Sequence, residues 1–311
     1  MKKNIFRKLK FCRVRSFKST MFNILAIVLI QAGIIKSQPS IEDIGYFQIG
    51  FSANVFNEVN INDATASAMV LTEFFLKQYG RDNYKVKTPA TFNNIDELKD
   101  IINEQEFEVL VMHPSEFIEV RNLDKLEPIA VAWRNGSPFD SFYILVHKDS
   151  KYQQFKDLQN KSILICSLEG TKTALWLNHL LKQKKLGSKD NFFSKIEYVD
   201  KPLSTILPVF FKKTDACVID KSLFETVCEL NPQINSELIA IETSKPLLIK
   251  VVTIRKSISD LQEKADLKEA FFDMHTYEEA RQYLTVFRIG KVIEFKEEYL
   301  SSTYDIMSLK K

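Results

Sequence analysis

Cysteine and histidine are scarce in this sequence, with four of each in 311 residues, at Cys12, Cys166, Cys217, Cys228, His113, His147, His179 and His275. No CxxC pair and no Cys/His spacing of a metal site occurs, so a metal centre of that kind is not expected. No Ser-His-Asp order or paired carboxylate motif stands out that would carry acyl transfer or acid–base chemistry. The residues therefore call for no cofactor, no metal and no catalytic group. Glycine is also sparse, eight in all, so each glycine at a turn is more informative than usual. Acids are missing altogether from the first 37 residues, which hold nine of the 43 Lys and Arg. The remainder carries 34 bases against 40 acids. That balance argues against a nucleic-acid surface.

What is present at the N-terminus is an address. Lys2, Lys3, Arg7, Lys8, Lys10, Arg13, Arg15 and Lys18 precede an apolar run from Met21 to Ile35, and Ser37 follows it before Gln38. A basic stretch, a short apolar core and a small residue make a secretory signal over residues 1–37. The run is short for a spanning helix, yet an uncleaved anchor is the open alternative. Met21 offers an alternative start. The expected chain is extracytoplasmic, in contact with a membrane only through this segment.

Beyond it, apolar β-branched runs alternate with helical periodicity. Ser162 to Cys166 reads as a buried strand, Gly170 as a tight turn, and Thr171 as the cap of a helix to about Lys185. A helix start with unpaired N–H groups and the hydroxyls of Thr171 and Thr173 suits an oxyanion, but by themselves these residues read first as a plain capped turn, a common feature of βα units. Strands are expected at Phe47–Phe51, Lys85–Thr91, Phe107–Met112, Ile129–Trp133, Phe142–Val146, Ile196–Val199, Ala216–Ile219, Leu238–Ile241 and Leu247–Ile254. Helices are expected from Ala64, Asp96, Pro114, Asp157, Leu203 and Lys221. Pro208 should kink or stop the Leu203 helix, and everything from Ile258 on reads as helical, capped by Ser257 or Ser259. Cys166 and Cys217 fall on expected strands, as a disulfide if those are neighbours or as buried free thiols. The pattern occurs twice without a flexible linker. It predicts an α/β chain of two lobes, each a mainly parallel sheet flanked by helices, joined by extended strands with a cleft between. The lobes are expected at 45–141 plus 242–311, and at 142–241.

Four stretches carry a family resemblance. They are Ile49-Gly50-Phe51 with the polar loop through Asn54; Phe107 to Met112 with His113-Pro114; Tyr143 to Ser150 with Phe155-Lys156-Asp157-Leu158-Gln159-Asn160-Lys161; and Gly170-Thr171-Lys172-Thr173-Ala174. In this order they resemble the periplasmic solute-binding proteins of the phosphate/phosphonate branch, the PhnD-like receptors of ABC importers with a type II binding-protein fold. The resemblance implies an anion loop at Gly170, Thr171, Lys172 and Thr173, and an acid contacting the polar end of the ligand at Asp220. It also implies cleft positions at Tyr143, His113 and Asn54, and at Phe117, where many members have tyrosine. Lys172 replaces a neutral hydroxyl residue and would favour an anion; Glu169 would oppose one, unless the two pair with each other. Asp220 alternatively caps the helix that follows it.

The function this implies is capture of a small phosphate- or phosphonate-like oxyanion between two lobes, for delivery to an ABC permease. A tethered or secreted sensory domain of the same fold is the alternative. An enzyme of the thiamine-pyrimidine-synthase type would need His and Cys constellations that four scattered histidines do not supply.

Overall fold

Eleven strands make the two principal sheets of the computed structural model, which describes residues 45–56, 60–104, 107–166, 172–258 and 260–308. The expected signal at 1–37 lies outside the described residues. The chain first lays down β1 (Ile49–Ser52), β2 (Ala90–Phe92), β3 (Val109–Met112) and β4 (Leu126–Trp133). It then crosses to β5 (Phe142–His147), β6 (Ser162–Cys166), β7 (Lys195–Val199), β8 (Ala216–Asp220) and β9 (Leu238–Thr243). Finally it returns with β10 (Val251–Arg255) and β11 (Lys291–Glu294). The first sheet has the order β11-β4-β10-β3-β1-β2, and the second β7-β6-β8-β5-β9. The helices that matter below are α1 (Ile61–Gln78), α2 (Pro114–Val120), α3 (Lys172–Gln183), α4 (Lys221–Leu230), α5 (Leu261–Asp273) and α6 (Glu278–Val286).

The α/β class holds, but the sheets are more mixed than the expected mainly parallel ones. β1, β2 and β3 pair in parallel, as do β6, β7 and β8. β10 and β4, however, pair antiparallel, as do β5 and β9. A strand arriving from the other half of the chain has no βα crossover to reverse it, so it enters antiparallel. Both faces of each sheet are covered, which is why the strands read as continuous apolar runs. Ile144, Val146, Ile163 and Ile165 fill one side of the second sheet, and Leu145, Leu164 and Cys217 the other.

Several boundaries shift. The expected strand over Lys85–Thr91 is two: Tyr84–Val86 pairs with Gly45–Phe47, while β2 joins the first sheet. Pro89, without an N–H, separates them. The run Leu247–Ile254 also divides. Leu247–Leu248 pairs antiparallel with Phe139–Asp140 at the crossover, and β10 enters the first sheet. The C-terminal part is not all helix, because β11 forms an edge strand on β4. Asp260, rather than Ser257 or Ser259, caps α5 by accepting from the N–H groups of Gln262 and Glu263. Asp157 sits in a single 3-10 turn, Phe155–Leu158. The helix carrying Pro208 stops at Phe210, and the Pro208 carbonyl accepts from Lys213 and Thr214. Cys166 and Cys217 do lie on neighbouring strands, but both are free thiols. Burial raises the Cys217 thiol well above its ordinary range.

The last helix, Ser301–Met307, spans both halves: Ile306 packs on the second sheet's core, Tyr304 and Met307 on the first. Both sheets belong to one compact unit, Ile44–Lys311.

Candidate functional site

In the second sheet, β6 leads toward the N-terminus of α3, whose first residue is Lys172. Its ammonium lies 3.3 Å from Asp220 Oδ1 and 5.4 Å from the centre of the Phe142 ring. The side chains are only 17% and 14% exposed, so water screens this pair less than a surface one. Asp220 ends β8 and occupies the position before α4 where a capping residue belongs, yet its side chain makes no capping hydrogen bond. Asp140, from the crossover, does that work: its carboxylate accepts from the Ser222 hydroxyl and from the Ser222 and Ser141 N–H groups. A remote cap thus leaves Asp220 to face Lys172. The alternative of Asp220 as the helix cap is therefore not what the structure shows. Tyr143, half-buried on β5, packs edge-on against Phe224 at 6.1 Å.

In the first sheet, Ser52 closes β1 and its hydroxyl donates to Glu116 Oε1 at 2.8 Å. The His113 N–H donates to Glu116 Oε2, also at 2.8 Å. His113 follows β3 and caps α2 by position, with Pro114 in the first turn as the sequence predicts. Burial pushes the Glu116 carboxyl above its ordinary range, while those two hydrogen bonds pull the other way. Ser52 and His113 sit at the carboxyl ends of parallel strands, as does Asp220 in the second sheet, where Lys172 opens the helix that follows β6. In open α/β sheets that edge is where ligands bind.

Other expected site residues fare differently. Thr173 is 1% exposed, so its hydroxyl is enclosed by protein. Phe117 is core rather than a ligand platform, packed edge-on against Phe295 at 6.0 Å with the Arg121 guanidinium over its ring. Its position on the inner side of α2 puts it there. Asn54 belongs to the 3-10 turn Ala53–Phe56, and its side chain lies outside the described residues, as do Glu169, Gly170 and Thr171. Glu116 and Asp140 were not singled out from the sequence. For Glu116 a signal existed, the capping spacing of His113 and Glu116 around Pro114. For Asp140 none did.

Among the described residues, one cluster has metal-ligand chemistry, His147, Asp149 and Glu237. Lys212 sits 2.8 Å from Asp149 and Lys148 2.9 Å from Glu237, while His147 Nδ1 accepts from the Asp149 N–H. Lysines thus already neutralise both carboxylates.

Two α/β halves joined by paired extended segments, with polar groups gathered at the strand ends, define a two-lobed binding protein. The sequence profile of the ABC-transporter phosphonate periplasmic substrate-binding proteins matches residues 70–300, and the chain belongs to that family. It is a substrate-binding component, not an enzyme, of a family that works outside the cytoplasm. No curated protein matches the sequence. Among solved structures, the chain is similar to a binding protein component of an ABC phosphonate transporter from Pseudomonas aeruginosa. The identity is 16% and the TM-score 0.63, over 85% of this chain and 86% of that one. It is also similar to PhnD1 from Prochlorococcus marinus, solved with methylphosphonate, at 14% identity and TM-score 0.62, over 86% of this chain and 98% of that one. A Xanthomonas citri protein solved with ATP aligns at 9% identity and TM-score 0.65, over 85% of this chain and 98% of that one. These likenesses establish the type II periplasmic binding-protein fold.

Proposed function

We propose that the protein captures a phosphonate- or phosphate-like oxyanion carrying a donor or amino group, between lobes formed by 45–141 with 242–311 and by 142–241. It then hands the ligand to an ABC permease. The observation that carries the reading is the Lys172–Asp220 pair at the start of α3. The helix start and the ammonium favour a negative group, each such helix-end interaction being worth about 0.3–1 kcal/mol. Asp220 beside them opposes a simple dianion and favours a ligand whose own cation or donor meets it. Thr171, Lys172 and Gly170 form the anion side, with Tyr143, His113 and Asn54 at the cleft. The segment 1–37 directs the chain out of the cytoplasm, as a cleaved signal or an anchor.

Calorimetry against methylphosphonate, phosphate and an aminoalkylphosphonate tests this. The aminoalkylphosphonate should bind tightest. Binding of an uncharged ligand alone, or of none of the three, would remove the anion site.

A further inference from the structure

The half built on the first sheet holds a cavity that shares no residue with the strand-end groups above. About 130 Å³ of open space lies between the sheet face carrying Val109 and Val252 and helices α1, α5 and α6. Its cause is local. Over its thirteen residues α5 buries only Ala270. Ala68 of α1, Ala132 of β4 and Ala270 all line the space, so methyl groups stand where longer side chains would close it. Protein interiors are normally packed almost without voids, and a gap of this size is a departure.

The chemistry of the wall decides what fits. Phe75, Phe271, Met274 and Leu284 line the helical side, with Val109 and Val252 on the sheet side. The polar residues along it are already engaged or reach solvent. Thr72 donates its hydroxyl to the Ala68 carbonyl at 2.7 Å, Arg81 pairs with Asp266 at 3.2 Å, and Lys250 has a partner of its own. Tyr79 and Glu263 are partly exposed. An enclosed water needs roughly two to four polar partners, and the described wall residues do not offer them. A carboxylate or an ammonium would enter without compensation for its lost hydration. A hydrocarbon meets no such penalty, and the aromatic edges and thioether favour a flat ring against them.

We propose that this cavity binds one small neutral hydrocarbon, a single aromatic ring of benzene or toluene size, held between the first sheet and α5. The size follows from the volume, since an apolar cavity of roughly 150 Å³ stays dry and takes one benzene. This site does not depend on the oxyanion reading.

Calorimetry of the full chain with toluene tests it, with benzoate as the charged counterpart of the same ring. Toluene should bind one to one and raise the melting temperature. Benzoate should bind about tenfold more weakly or not at all. In a spectrum of methyl-labelled methionines, toluene should move the Met274 signal, assigned with Met274→Leu, because the ring lies beside it. Ala270→Phe, which fills the space, should abolish toluene binding; Ala132→Leu serves the same purpose if that variant does not fold. No toluene binding, benzoate bound as tightly as toluene, a Met274 signal that stays put at saturation, or toluene binding that survives a folded cavity-filling variant would each overturn the proposal.

Discussion

Lys172 Nζ stands 3.3 Å from Asp220 Oδ1, a cation and an anion delivered by two different helix starts of one sheet. Asp220 is not spent on capping its own helix by side chain, because Asp140 reaches across from the crossover to hold Ser222 instead. The pair makes the start of α3 self-neutralising, so on the proposed reading a ligand at this helix start would compete with Asp220 for Lys172.

That relationship predicts opposite effects for two ligands. Asp220→Asn removes the competing charge, so affinity for methylphosphonate should rise about tenfold, about 1.4 kcal/mol. The same change should weaken an aminoalkylphosphonate, which loses the acid that meets its amine. Isothermal calorimetry on both ligands checks this, and equal shifts in the same direction would sink it.

Glu116 should give a measurable pH signature. Burial raises its carboxyl in the folded state, against the hydrogen bonds from His113 and Ser52. A group that holds its proton more tightly when folded contributes stability that is complete below its unfolded value, near ~4.3, and is lost as pH rises through the folded one. Glu116→Gln lacks that contribution. The melting temperature of the parent relative to the variant should therefore be most favourable near pH ~4 and decline toward pH ~7. A difference that is constant with pH, or that grows, would refute the assignment.

Gly50 is required by packing rather than by a turn. A Cβ built there would lie 2.4 Å from Leu110 Cδ2, on the neighbouring strand β3. Leu110 is fully buried and has little room to yield. Gly50→Ala should cost about 1–3 kcal/mol by overpacking. Urea unfolding should show a lower midpoint with unchanged slope, and unaltered stability would mean that the sheet opens there easily.

Closure about the crossover is the mechanical consequence of the proposed function. The paired segments Phe139–Asp140 and Leu247–Leu248 lie between the sheets, while the last helix packs on both cores. Saturating ligand should reduce the radius of gyration in small-angle scattering. An unchanged radius at confirmed saturation would count against a hinge.

The sequence by itself determined the layered α/β architecture. Runs such as Ser162–Cys166 and Ala216–Ile219 are too apolar to be anything but strands covered on both faces. It also determined the His113-Pro114 helix entry, since proline fixes the first helical turn locally. The motif order carried the family for the same reason, because turn and cap chemistry is written in neighbouring residues. Only the tertiary structure decided that strands returning from the other half pair antiparallel, that Lys291–Glu294 completes a sheet edge, and that Phe117 is core. Asp220 is the sharpest case. From sequence it reads equally as a cap or a ligand acid, and the structure removes only the cap, because Asp140, some eighty residues away, holds Ser222 instead. Side-chain partners over such separations are set by how the sheets bring strand ends together, and no local pattern encodes that.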